Sequence, residues 1–184
     1  MVRKRYLLLL LTAFLGLGLL ALDRYTRGPS LLGGDQKVRE ADYYGINLIS
    51  HRYAESGLLG ETLYATRSDH YPDEKTTYFV QPRLVTHLDS PTTLTADKGH
   101  LKDVRGVLFL NGHVRLESES AQGEPLLMVT DSLIYNSKTL RARTDDPVRI
   151  TGPGTQIEGT GMLYDVQQER LQLNSKVKTR YEPQ

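Results

Sequence analysis

This sequence predicts an all-β domain behind a single membrane helix, on three observations. A seventeen-residue apolar run, Tyr6 to Leu22, follows Arg3, Lys4 and Arg5. The chain beyond it alternates apolar and polar side chains with period two. A weak internal repeat of about 31 residues runs through that part, each copy interrupted near its middle. Together they predict a twisted, partly open antiparallel β-jellyroll, or β-taco, over residues 42–184. A cytoplasmic tip (1–5), a transmembrane helix (6–22) and a translocated linker (23–41) precede it.

The apolar run contains ten leucines and no charge. At about 1.5 Å per residue it reaches roughly 25 Å, just enough to cross a hydrocarbon core. Three basic residues ahead of it hold the N-terminus in the cytoplasm and send the rest across. A cleaved signal peptide is the competing reading, but Leu19-Leu20-Ala21-Leu22-Asp23 offers no small-x-small cleavage site. The segment after it, with Arg27-Gly28-Pro29-Ser30 and Gly33-Gly34-Asp35, has the composition of a flexible tether.

The repeat is seen by aligning Tyr71, Leu101, Leu133 and Tyr164. Seven residues on stand Tyr78, Leu108, Leu140 and Leu171, and beyond them Leu84, Val114, Val148 and Val177. Polar turns separate the strands: Pro72-Asp73-Glu74, residues 102–106, Asn136-Ser137-Lys138 and residues 165–168. Breaks at Gln81-Pro82, Asn111-Gly112, Asp145-Asp146-Pro147 and Asn174-Ser175 let each long strand bend, with parity expected to survive the bend. On that reading residues 78, 80, 84 and 86, and their counterparts in later copies, share one dry face. Strands bent in the middle and stacked by repetition fold into two facing sheets with two open edges. These are a first strand, about Tyr43 to Tyr53, and a last strand, about Leu171 to Tyr181. Lys176, Lys178 and Arg180 alternate along the last strand, either as charges that block aggregation or as an end that accepts another sheet by strand addition.

Little in the sequence points to chemistry. There is no cysteine, which excludes an acyl-cysteine anchor and any disulfide. The five histidines lack metal-ligand spacing, and neither a nucleophile elbow nor a phosphate loop is present. Asp69 with Asp73 and Asp145 with Asp146 lie in turn-like segments, where solvated turn residues outweigh acid–base pairs. A formal net charge of +1 offers no field for nucleic acid. The chain is therefore expected to be no enzyme and to need no cofactor. Its apolar inner face reads either as a dry sandwich core or as a greasy groove that holds acyl chains, each buried methylene contributing about 0.8 kcal/mol.

Several short motifs occur in a specific order after the tip, span and tether. They are Tyr53-x-x-x-Gly57, Phe79-x-Gln81-Pro82, Ala96-Asp97-Lys98-Gly99, Leu108-x-Leu110-x-Gly112-His113-Val114 and Ile150-x-Gly152. In this order the chain resembles the LptC family of lipopolysaccharide export proteins over essentially its whole length. The resemblance implies a single-pass inner-membrane protein with a periplasmic jellyroll. It would receive lipopolysaccharide from an ATP-driven extraction complex and pass it to a soluble LptA-like jellyroll. It also implies an LptF/LptG-type transporter at the N-terminal edge and membrane helix, and the LptA-like protein at the C-terminal edge. Family glycines linked to partner engagement or function map onto Gly57 and Gly152. Position 111, aromatic in some relatives, is Asn here.

The groove residues expected on this basis are Leu84, Leu108, Leu110, Val114, Leu140, Ile150, Leu171 and Leu173. The expected partner interface comprises Tyr44, Ile46, Gly57, Gly152, Val177, Thr179 and Tyr181. The alternative is a membrane-tethered β scaffold that binds only proteins; a periplasmic hydrolase is a distant third. Bound lipid separates the first two readings.

Overall fold

The computed structural model describes residues 15–23, 40–87, 91–102, 106–119 and 123–181. The chain divides into two units, Met1–Arg39 and Glu40–Gln184. Residues 15–23 of the first unit are helical and exposed. Among the described residues no helix is long and apolar enough to cross a membrane, and residues 6–14 of the expected span lie outside the described residues. The tip and residues 24–39 of the expected linker lie outside them as well.

The second unit is built from eleven strands: β1 (Tyr43–Tyr53), β2 (Leu59–Tyr71), β3 (Thr76–Val80), β4 (Arg83–Thr86), β5 (Thr93–Thr95), β6 (Lys98–Lys102), β7 (Val107–Glu119), β8 (Pro125–Asn136), β9 (Arg141–Gly152), β10 (Thr155–Asp165) and β11 (Arg170–Tyr181). All neighbouring pairs are antiparallel. One half of β2 pairs with β3 and the other with β4, while β6 and β5 pair with the two halves of β7. Thus β3 with β4, and β5 with β6, are each one long strand broken at a bend. The sheet is then a meander from β1 to β11 in which every long strand is folded near its middle. Among the described residues β1 pairs only with β2 and β11 only with β10, so both ends carry unpaired edges there.

Backbone conformation repeats with the sequence. The turns that lead into β3, β7, β9 and β11 each place their last residue in the left-handed region: Lys75, Gly106, Leu140 and Glu169. The bends do likewise at Asn47, Gln81, Gly112 with His113, Gly161 and Lys176, and the ladder registers slip beside several of them. Extra residues at such points turn the strand and increase its twist.

Two differences from the expected register follow from this geometry. At Gln81-Pro82 parity is lost: Phe79 is buried while Tyr78 is half-buried and Val80 exposed, yet Leu84 and Thr86 are buried beyond the bend. Gln81 adopts φ 49° with its amide bonded to the Asp97 carbonyl, which rotates the chain by one face. Leu140 stands in the β8–β9 turn at φ 52°, and Ala142 takes the strand position expected for it.

The core lies between the two arms of the folded sheet. In the arm that ends in the repeated turns, a cross-strand row runs Thr77, Leu101, Leu108, Tyr135, Ala142, Tyr164, Leu171. In the other arm the row runs Leu63, Leu84, Leu94, Leu116, Met128, Ile150, Ile157. Cross-strand neighbours of this kind are the contacts that stabilise a sheet. The first arm's outer face is not uniformly polar: Tyr71, Tyr78, His100 and Phe109 form a ring ladder, and Lys102 lies over Phe109.

Candidate functional site

The expected groove residues fall into three groups. Leu84, Leu108, Leu110, Val114 and Ile150 are sealed in the core, none more than 5% exposed. Leu171 and Leu173, on the inner side of β11, are half-buried and pack against that core. Leu140 packs against it from the turn. The structure therefore brings all eight to one continuous apolar interior, closed over the first five and accessible near β11.

Close approach explains one of the sequence motifs. Gly99 pairs with Leu110, and a Cβ at position 99 would sit 3.1 Å from Leu110, Pro82 and the Phe109 carbonyl. The Ala96-Asp97-Lys98-Gly99 segment is thus a bend followed by a residue that must be small.

Polar side chains inside the same interior bridge the two arms, and sequence reasoning missed them. Tyr135 on β8 donates a 2.6 Å hydrogen bond to Glu61 on β2, although these strands are not ladder neighbours. Arg52, paired with Glu61 across β1 and β2, places its guanidinium 3.5 Å from the Glu61 carboxylate and also donates to the Ser137 hydroxyl. Burial pushes the Glu61 carboxyl up, opposed by the Tyr135 hydrogen bond and by Arg52; burial and the nearby carboxylate push the Tyr135 phenol up. Ser118 on β7 meets the Tyr164 hydroxyl on β10 at 3.0 Å and the Thr92 hydroxyl at 3.1 Å. The signal was available: Glu61 has the parity of Leu63, and Tyr135 that of Leu133.

At the edges the expected interface residues are mostly uncovered. Tyr44, Ile46, Val177 and Tyr181 are all more than half exposed, and Thr179 is exposed too. Tyr43, Ile49 and Tyr53 add to the apolar surface of β1. Gly57 is the φ 82° residue of the β1–β2 turn, its amide bonded to the Ala54 carbonyl. Gly152 ends β9 and lines a small cavity with Leu126, Ile150 and Ile157.

The carboxylate pairs are engaged locally: Asp69 accepts from Arg67, and Asp146 accepts from Ser132. No cluster of three metal-ligating side chains occurs among the described residues.

The family described as lipopolysaccharide-assembly, LptC-related, matches residues 7–182. The chain belongs to the LptC family. Over 135 residues it is 30% identical to the lipopolysaccharide export system protein LptC of Escherichia coli K12, covering 72% of this chain and 70% of that one. The Shigella flexneri LptC matches to the same extent. In fold, this LptC-family chain is similar to LptH of Pseudomonas aeruginosa, described as the LptA-homologous periplasmic component of the lipopolysaccharide transport device. The TM-score is 0.55 at 14% identity, over 67% of this chain and 95% of that one.

Proposed function

We propose that this protein is an inner-membrane component of lipopolysaccharide transport to the outer membrane. Residues 6–22 cross the inner membrane with the N-terminus in the cytoplasm, and the β domain stands in the periplasm. Lipopolysaccharide arrives from an ATP-driven extraction complex, travels with its acyl chains between the two arms, and leaves to an LptA-like bridge protein. Leu84, Leu108, Leu110, Val114, Leu140, Ile150, Leu171 and Leu173 form the path. The β1 edge, with Tyr44, Ile46 and Gly57, faces an LptF/LptG-type transporter. The β11 edge, with Val177, Thr179 and Tyr181, faces the bridge, and Gly152 serves partner engagement. No covalent step is involved.

The observation that carries this reading is family membership over residues 7–182 combined with a folded meander that leaves a free strand at each end. Strand addition at both edges joins the interiors of successive jellyrolls into one slide. Direction comes from loading upstream, because equal sites along a slide bias nothing. A second reading, a scaffold that binds only proteins, is favoured by one feature: Leu110, Val114, Leu116 and Ile150 are each 1% exposed, so the arms must part before a lipid can pass.

The test is photocrosslinking in cells with the probe at Leu173, which is half-buried on the inner side. A lipopolysaccharide adduct that requires ATP hydrolysis by the transporter supports transport. A folded, incorporated probe with no adduct supports the scaffold.

A further inference from the structure

A cavity of about 70 Å³ between the arms is lined by Leu63, Leu84, Leu101 and Leu108 at its apolar wall and by Arg52, Glu61, Tyr135 and Ser137 at its polar side. Its polar side joins the two arms. Arg52 and Glu61 belong to β1 and β2, Tyr135 to the end of β8 and Ser137 to the following turn. Glu61 is 5% exposed and Tyr135 wholly buried, whereas the Arg52 side chain is 45% exposed. One end of this network is thus fixed in the interior and the other reaches solvent.

We propose that Arg52, Glu61, Tyr135 and Ser137 form a clasp on the β1 side of the domain, opened when Arg52 exchanges the Glu61 carboxylate for a phosphate of the incoming lipid. The apolar wall then receives an acyl chain while the guanidinium holds the headgroup outside. The chemistry favours the exchange. A guanidinium binds phosphate and carboxylate with the same fork of donors, and phosphate presents more acceptor oxygens at higher charge. The cavity in the closed clasp holds only a few methylenes, so occupancy by a whole chain requires the Tyr135–Glu61 bridge to break. This inference rests on the lipid-transport reading and adds to it positioning residues at the point of entry.

The test places a photoprobe at Leu101, on the cavity wall, in cells making the full chain, with a second probe at Leu173 as reference. Glu61→Gln and Tyr135→Phe each weaken the clasp while leaving Arg52 in place, and both are expected to raise the lipopolysaccharide adduct at Leu101 several-fold. Arg52→Gln, at a half-exposed position, also loosens the clasp but removes the phosphate ligand, and is expected to lower the adduct several-fold. Opposite signs from members of one network are what a simple packing defect does not produce. Glu61→Gln keeps an acceptor for Tyr135, so it reports even where Tyr135→Phe unfolds the domain. If all three raise the adduct, or if none changes it while the Leu173 adduct persists, the clasp is overturned and lipid transport stands. Absence of adducts at both probes overturns the transport reading, and the clasp with it.

Discussion

Gly57 illustrates how a single residue sets the geometry of an edge. Its φ of 82° is open to glycine and costly for other L-residues, and nothing lies within 4 Å of an added Cβ. Gly57→Ala is therefore expected to lose about 1 kcal/mol of stability through backbone strain alone, and Gly57→Asn less. A lower urea midpoint at unchanged m-value checks this. Gly152 is the contrast: an added Cβ would meet Leu126 at 3.7 Å, an ordinary contact. Gly152→Ala should leave the midpoint nearly unchanged, so any loss of function there belongs to a partner. His113, at the β7 bend, is held above its usual pKa by its 2.7 Å hydrogen bond to Asp97 and by that carboxylate's charge. A raised histidine stabilises the folded state at pH below its unfolded value and loses that contribution as pH rises through the folded value. Asp97→Asn should lower the His113 midpoint in an NMR titration; an unchanged midpoint would sink the pairing. At this scale the sequence was legible where period two was clean, as at Leu108, Leu110 and Val114. At Glu61 and Tyr135 parity marked both side chains as inward but not as partners, because that carboxylate gains its meaning from a phenol 74 residues away.

Among the elements, the bends explain what pattern reading could and could not find. Breaks at Asn111-Gly112 and Asp145-Asp146-Pro147 keep parity, since residues 110 and 114, like 144 and 148, are buried on either side. Gln81-Pro82 does not keep it: a single left-handed residue turns the chain there by one face, whereas at the β7 bend Gly112 and His113 are both left-handed and form a bulge in the β7–β8 ladder. Local sequence does not distinguish one such residue from two. The edge strands were legible as strands, β1 and β11 falling where alternation placed them. Val177→Pro should break β11 as a docking edge, since proline removes a ladder donor and distorts the strand. On the proposed function such a variant loses the LptA-like partner in co-purification and retains the transporter. Recovery of the bridge protein at wild-type yield would refute that assignment.

For the whole molecule, cohesion depends on the two facing rows, because a chain without cysteine has no covalent brace. Leu116, 1% exposed between Leu94 and Met128, is a position where truncation leaves a void. Leu116→Ala is expected to cost about 2–5 kcal/mol in denaturant unfolding. The same tight interior sets the condition for transport: lipid can pass only if the arms separate, and the half-buried Leu171 and Leu173 are among the inner side chains that reach solvent. The measurement that bears most directly on this is lipopolysaccharide photocrosslinking at inward Leu173 against outward, half-exposed Arg115 as control. A conduit between the arms predicts an ATP-dependent adduct at Leu173 and none at Arg115. Equal adducts at both positions, or none at a folded Leu173 probe, would contradict it.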